Sequence, residues 1–242
     1  MFQGIERALV VAAHPDDEVL GCGATVARLT ASGVRVRTLI LATGGLSRAD
    51  GSQDDVNDLK AAAMTAALTL GVVDVAFGGL PDNAMDTVAL LEVVKLVEDN
   101  IQSFKPQLVL THHAGDLNID HRIAHEAVLT ACRPLAGNPV KTILTFETVS
   151  STEWQSTALP AFRPTVFVEC GPALETKIAA LDHYKMEMHE IPHPRSQEQV
   201  RELAHLRGRA SGHMAAEAFD VVRQRFKPGI GVAAVVVTLT VS

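Results

Sequence analysis

Ala8-Leu9-Val10-Val11-Ala12-Ala13-His14-Pro15-Asp16-Asp17-Glu18 carries the chain from an apolar strand into a helix through a turn crowded with ionisable groups. Residues 8–12 form an unbroken apolar run, the pattern of a parallel strand covered on both faces. Beyond the turn, Val19, Cys22, Val26 and Leu29 recur at spacings of three and four, so a helix with one buried face follows. One imidazole and three carboxylates share a turn whose backbone Pro15 restricts. Such groups repel one another and resist burial unless a cation sits among them. An Asp here also suits an N-cap, and Glu18 suits the first helical turn. Neither accounts for His14 at the carboxyl end of the first strand, where open α/β sheets place their ligands. The turn is therefore expected to be one half of a metal site.

The other half is expected in Thr111-His112-His113-Ala114-Gly115-Asp116-Leu117-Asn118-Ile119-Asp120-His121-Arg122, which leaves a later strand and enters a helix through Ile123, Ala127 and Ala131. His121 and His125 lie four residues apart on one helical face, a separation that suits one metal. Two strand ends of a parallel sheet can converge on one point. Imidazole nitrogens and one carboxylate around an open position describe a catalytic zinc, with Fe2+ or Co2+ as alternatives. A spare carboxylate beside the ion can take a proton from water. Asp16-Asp17 supplies both jobs, one ligand and one base, and the residues alone leave open which does which.

Around these turns the chain alternates strand and helix: strands over 34–42, 72–77 and 107–110, helices over 56–70 and 88–102. That alternation predicts a three-layer α/β sandwich with a mainly parallel sheet in one domain spanning 1–242. Residues from about 143 read as a less regular C-terminal elaboration, with strands over 143–149 and 165–168 and helices over 174–188, 197–207 and 215–224. Ile191-Pro192-His193-Pro194-Arg195 interrupts it, and the valine-rich tail 231–241 has strand propensity.

The 242 residues, 47% hydrophobic, suffice for a large core. A net charge of −7 without a basic stripe argues against nucleic acid as a partner. Three cysteines without paired or metal-type spacing fit a reducing compartment, and the N-terminus lacks a signal-peptide pattern. No apolar run reaches the ~20 residues of a bilayer span. A cytoplasmic protein is expected.

AHPDDEVLGCGAT, followed by GDLNIDHRIAHEAV, resembles the PIG-L/LmbE family of zinc-dependent de-N-acetylases, and LPDNAMD, SSTEW and AEAF fall in the order that family shows. The resemblance implies hydrolysis of an N-acetyl group from an amino sugar or its conjugate on a Rossmann-like fold. It implies His14, Asp17 and His121 as zinc ligands and Asp16 as general base. Asp120 would orient a neighbouring ligand, or cap the helix beginning near His121. Asp82 would contact sugar hydroxyls, and Lys60, His213 and Glu217 are further substrate-binding candidates. The family habit and the apolar tail together imply a homo-oligomer.

Three departures bear on chemistry. Asn118 stands where many members have a histidine that assists the departing amine; an amide donates a hydrogen bond but is no acid. Protonated Asp16, His213 or His112 then has to supply that proton. Lys60 and Ala62 stand near positions that commonly carry Arg and Glu, and Ala215 where a tyrosine is common. Two other readings exist. His14-Pro15-Asp16 has the spacing of non-haem iron oxygenases, which favour all-β folds. Gly21-Cys22-Gly23 hints at a nucleotide-binding module, but without the full glycine pattern.

Overall fold

The computed structural model describes residues 2, 4–42, 44 and 53–226. Seven strands form one sheet in the order β3-β2-β1-β4-β5-β7-β6. They are β1 (Arg7–Ala12), β2 (Arg35–Ala42), β3 (Asp74–Leu80), β4 (Leu108–His112), β5 (Thr142–Phe146), β6 (Val166–Glu169) and β7 (Ala216–Gln224). Strands β1 to β5 pair in parallel, while β7 runs antiparallel between β5 and β6. The helices are α1 (Asp17–Ala31), α2 (Gln53–Thr69), α3 (Leu90–Phe104), α4 (Ile119–Ala131), α5 (Ala173–Leu181) and α6 (Gln197–Ser211).

Alternate residues of β1 feed two cores. Ala8 and Val10 pack with α1, α2 and α5 through Val19, Val26, Leu59 and Ile178. Leu9 and Val11 pack with α3 and α4 through Val93, Val97, Ala124 and Val128. This is the expected three-layer α/β sandwich with a mostly parallel sheet. Strand β1 lies between β2 and β4, so the chain departs from it toward one edge and returns to build the other. The crevice beyond the carboxyl ends of β1 and β4 is the switch point where such sheets bind ligands.

Three elements differ from their sequence expectations. Residues 216–224 form a strand, not a helix. Ala215, Ala218, Phe219 and Val222 fall at helical spacing, but β7 is an interior strand, buried on both faces at its start, so no period of two shows. Helix α5 ends at Leu181, and turns replace the expected helix to 188. Helix α1 is broken at Cys22 (φ −149°, ψ 20°). The amides of Ala24 and Thr25 just beyond the break donate to Glu217 at 3.0 and 2.7 Å, which satisfies groups a continuous helix would have paired. The glycines flanking Cys22 serve packing: a Cβ on Gly21 would meet the Phe146 ring at 2.1 Å. They form no phosphate-binding turn. Among the described residues, no helix is long and apolar enough to cross a membrane. The valine-rich tail 231–241 and residues 45–52 lie outside the described residues.

Candidate metal centre

His14 leaves β1, and Asp17 opens α1 three residues later. The Asp17 carboxylate first ties the turn together, Oδ2 accepting from the His14 amide at 2.9 Å. The same oxygen faces three ring nitrogens: His121 Nε2 at 3.2 Å, His14 Nδ1 at 3.3 Å and His112 Nε2 at 3.5 Å. His121 comes from the first turn of α4, so the two distant turns do meet. His14, Asp17 and His121 each offer one ligand atom within 4.8 Å of the others.

The outer nitrogens of both rings lie against further carboxylates. His14 Nε2 lies 3.0 Å from Asp120 Oδ2, and His121 Nδ1 lies 3.1 Å from Asp116 Oδ1. Asp120 Oδ1 accepts from the Met85 amide at 3.0 Å. Asp116 accepts from Ser151 Oγ, and from Thr152 Oγ1 at 2.7 Å. Imidazoles that face a common point through one nitrogen and a carboxylate through the other are the usual supports of a metal. Asp17 Oδ1 and both ring nitrogens of His121 are buried with no well-directed hydrogen bond. Buried polar atoms are rarely left so, and a cation between Asp17 and Nε2 satisfies those two. The donor set fits a divalent ion.

The electrostatics agree. Burial alone would raise the Asp17 carboxyl, yet the charges of His121 and His112 hold it well below the usual range. Burial opposes charge on His14, but hydrogen bonds to Asp120 and Asp17 push it up to about 10. His121 likewise rises, against burial, to about 9 through Asp17 and Asp116. The carboxylates favour positive charge within the cluster, the charge a divalent ion in the same place would supply.

Asp16 lies beside this centre, buried, with its backbone at φ 109°. Burial pushes its carboxyl well up, and Arg195 opposes the rise through Nη1, 2.9 Å from Oδ2. The Asp16 amide donates to Glu18 Oε2 at 3.1 Å, and the Tyr184 hydroxyl donates to the other Glu18 oxygen. Sequence reasoning missed Asp116, Arg195 and Tyr184. Asp116 stood within the second quoted turn without a distinct signal. Arg195 and Tyr184 sit in or near the irregular stretch after α5, where no periodicity points at the site.

Residues 9–132 match the family model described as PIG-L: GlcNAc-PI de-N-acetylase. The chain belongs to this family. Among relatives of the PIG-L chain is an uncharacterized deacetylase, YaiS, of Escherichia coli K12. It is 30% identical over 183 residues, 73% of this chain and 89% of the relative. Diacetylchitobiose deacetylase of Thermococcus kodakarensis is 26% identical over 250 residues, 95% of this chain and 86% of the relative. In fold, the chain resembles N,N'-diacetylchitobiose deacetylase from Pyrococcus horikoshii (TM-score 0.76, 18% identity, 92% and 85% of the two chains). It also resembles 4-carboxy-2-hydroxymuconate hydratase from Pseudomonas putida KT2440 (TM-score 0.74, 22% identity, 93% and 99%).

The other candidates of this PIG-L chain are dispersed. Asp82 Oδ1 is 3.5 Å from His14 Nε2, at the rim of the cluster. Asn118 is the N-cap of α4: its Oδ1 accepts from the Asp120 amide at 2.8 Å and its Nδ2 donates to Asn83 at 3.0 Å. His125 does not join His121 at Asp17; its Nδ1 is 2.8 Å from the His112 carbonyl. His112 is no proton donor for an amine. It is fully buried, its Nε2 accepts from the Ala13 amide at 2.9 Å, and burial with His121 nearby pushes it down to about 3. Glu217, expected at the substrate, is buried against Ala24, Thr25 and Lys177 Nζ, 2.7 Å away, and braces α1 instead. Lys60 on α2 lies over the Phe77 ring at 5.7 Å. His213 is exposed in the turn after α6, its amide on the Gly208 carbonyl. Neither is among the groups gathered at Asp17.

Proposed function

We propose that this chain hydrolyses the N-acetyl group, or another short N-acyl group, of an amino sugar or its conjugate, with Zn2+ held by His14, Asp17 and His121. The observation carrying this reading is the pairing of each imidazole between Asp17 and its own outer carboxylate. The family match and the relatives named as deacetylases supply the reaction class. Bound there, a divalent ion would lower the pKa of water and draw charge from an amide carbonyl.

The remaining work falls to the chain. Asp16, buried and next to the ligands, takes the proton from water as its oxygen attacks the amide carbon. Asn118 has no acidic proton, and His112 is sealed among Ala13, His121 and Phe146. The proton held on Asp16 therefore passes to the amine nitrogen as the C–N bond breaks. Asp120 and Asp116 keep the two rings in place. Asp82, at the rim, receives sugar hydroxyls.

Acetate release from a panel of N-acetylated amino sugars, with zinc supplied or chelated, tests the reading. Release that stops with chelator and returns with zinc is expected. No release from any amino sugar, with turnover of 4-carboxy-2-hydroxymuconate in its place, would assign hydratase chemistry to this chain and end the proposal.

A further inference from the structure

The segment after α5 reaches the site at one point. Arg195 Nη1 donates to Asp16 Oδ2 at 2.9 Å, across 179 residues of sequence. Its Nε donates to Ser150 Oγ at 2.7 Å, and Glu187 Oε2 lies 3.6 Å from Nη1. The backbone of Arg195 is itself pinned: its amide donates to His193 Nδ1 at 3.1 Å, and its carbonyl accepts from the His189 amide at 3.2 Å. Ser150 is held in turn, its amide donating to Glu153 Oε1 at 2.6 Å. The next residue, Ser151, donates to Asp116, which faces His121. One guanidinium thus ties the turn after β1, the loop after β5 and the segment after α5.

We infer that Arg195 is a positioning residue that aims the Asp16 carboxylate at the centre formed by His14, Asp17 and His121. The inference rests on the reading of Asp16 as the group that handles the proton. A carboxylate at the head of a helix can turn about its side-chain torsions, and α1 places no hydrogen bond on it. A planar fork anchored at Ser150 removes that freedom, which a point charge on a flexible stem would not. The site is then completed by a residue far beyond both metal-binding turns. The irregular run Ile191–Arg195 is folded back on itself to deliver it.

The test compares Arg195→Gln, Arg195→Lys and Arg195→Ala with Asp16→Asn in zinc-loaded full-length protein, reading kcat, KM, zinc per chain and melting temperature. Arg195→Gln is expected to lose about 100-fold in kcat with KM and zinc content little changed, the cost of a misaimed group. Arg195→Lys should recover part of that loss, and added guanidinium should restore turnover to Arg195→Ala. Wild-type kcat in Arg195→Gln, with Asp16→Asn inactive, would overturn the inference and leave the assignment of Asp16 standing. Full activity in Asp16→Asn would overturn that assignment itself. A raised KM at constant kcat would make Arg195 a substrate contact, against the inference. Should Arg195→Gln fold poorly, the guanidinium experiment decides: no recovery counts against positioning.

Discussion

Asp120 Oδ2 and His14 Nε2 lie 3.0 Å apart although 106 residues separate them in sequence. The other Asp120 oxygen is fixed by the Met85 amide, so the carboxylate cannot swing away from the ring. It thereby sets which His14 nitrogen turns toward Asp17. Asp120→Ala should weaken zinc binding by about 10–100-fold without removing a ligand. Competition with a chromophoric chelator measures this directly. Wild-type affinity would leave Asp120 as a brace for the Met85 amide alone.

The proposed ligands and the proposed base are separable by the same measurement. Asp17→Ala and His121→Ala remove donors that meet at one point, and each should purify with little zinc. Asp16→Asn leaves all three ligands in place. It should keep a full complement of metal while turnover falls by roughly 10²–10⁴-fold, the usual worth of a positioned proton acceptor. Full zinc by elemental analysis in both Asp17→Ala and His121→Ala would refute the ligand assignment.

How far the site could be read in advance depended on sequence distance. His14, Asp16 and Asp17 share one turn, and Asp120 and His121 share another, so local patterning singled out both turns, which the fold brings together. The alternation of apolar runs with helical spacing also revealed the parallel sheet that joins them. Arg195 and Tyr184 come from a stretch whose structure is set by turns, not by a repeating face, and nothing local marks them. Glu217 misled for a related reason. It was singled out through the AEAF resemblance, and its carboxylate oxygens accept from the broken helix at Ala24 and Thr25. The i, i+4 pair His121 and His125 was geometrically sound as a motif, but the His112 carbonyl claims the second ring.

Packing under the site gives a prediction independent of activity. A methyl on Gly21 would sit 2.1 Å from the ring of Phe146, which is fully buried and packs edge-on against His112. Gly21 lies in α1, which begins at Asp17, and Phe146 is the last residue of β5. Gly21→Ala should cost about 1–3 kcal/mol by overpacking. Thermal unfolding should register roughly 2–4 °C for each kcal/mol lost in a chain of this size. An unchanged Tm would show that the ring can turn aside.

The thiols supply a pH dependence whose sign follows from their burial. Cys22, Cys132 and Cys170 are all buried and unpaired. Burial pushes Cys132 and Cys170 up to about 12, and Cys22 up as well, from an ordinary value of 9.0. Below pH 9 both folded and unfolded chains keep these protons, and the thiols add nothing to the pH dependence. Between pH 9 and about 12 the unfolded chain releases them while the folded chain holds them. The unfolded state then binds fewer protons, so stability falls as pH rises through that window. Urea midpoints at pH 8 and pH 10 should show the decline, and replacing Cys132 and Cys170 by Ala should flatten it. The native protein should also resist iodoacetamide at pH 8, with the cysteines reacting only after unfolding. Alkylation of native protein at the unfolded rate would mean that these thiols are reached by solvent.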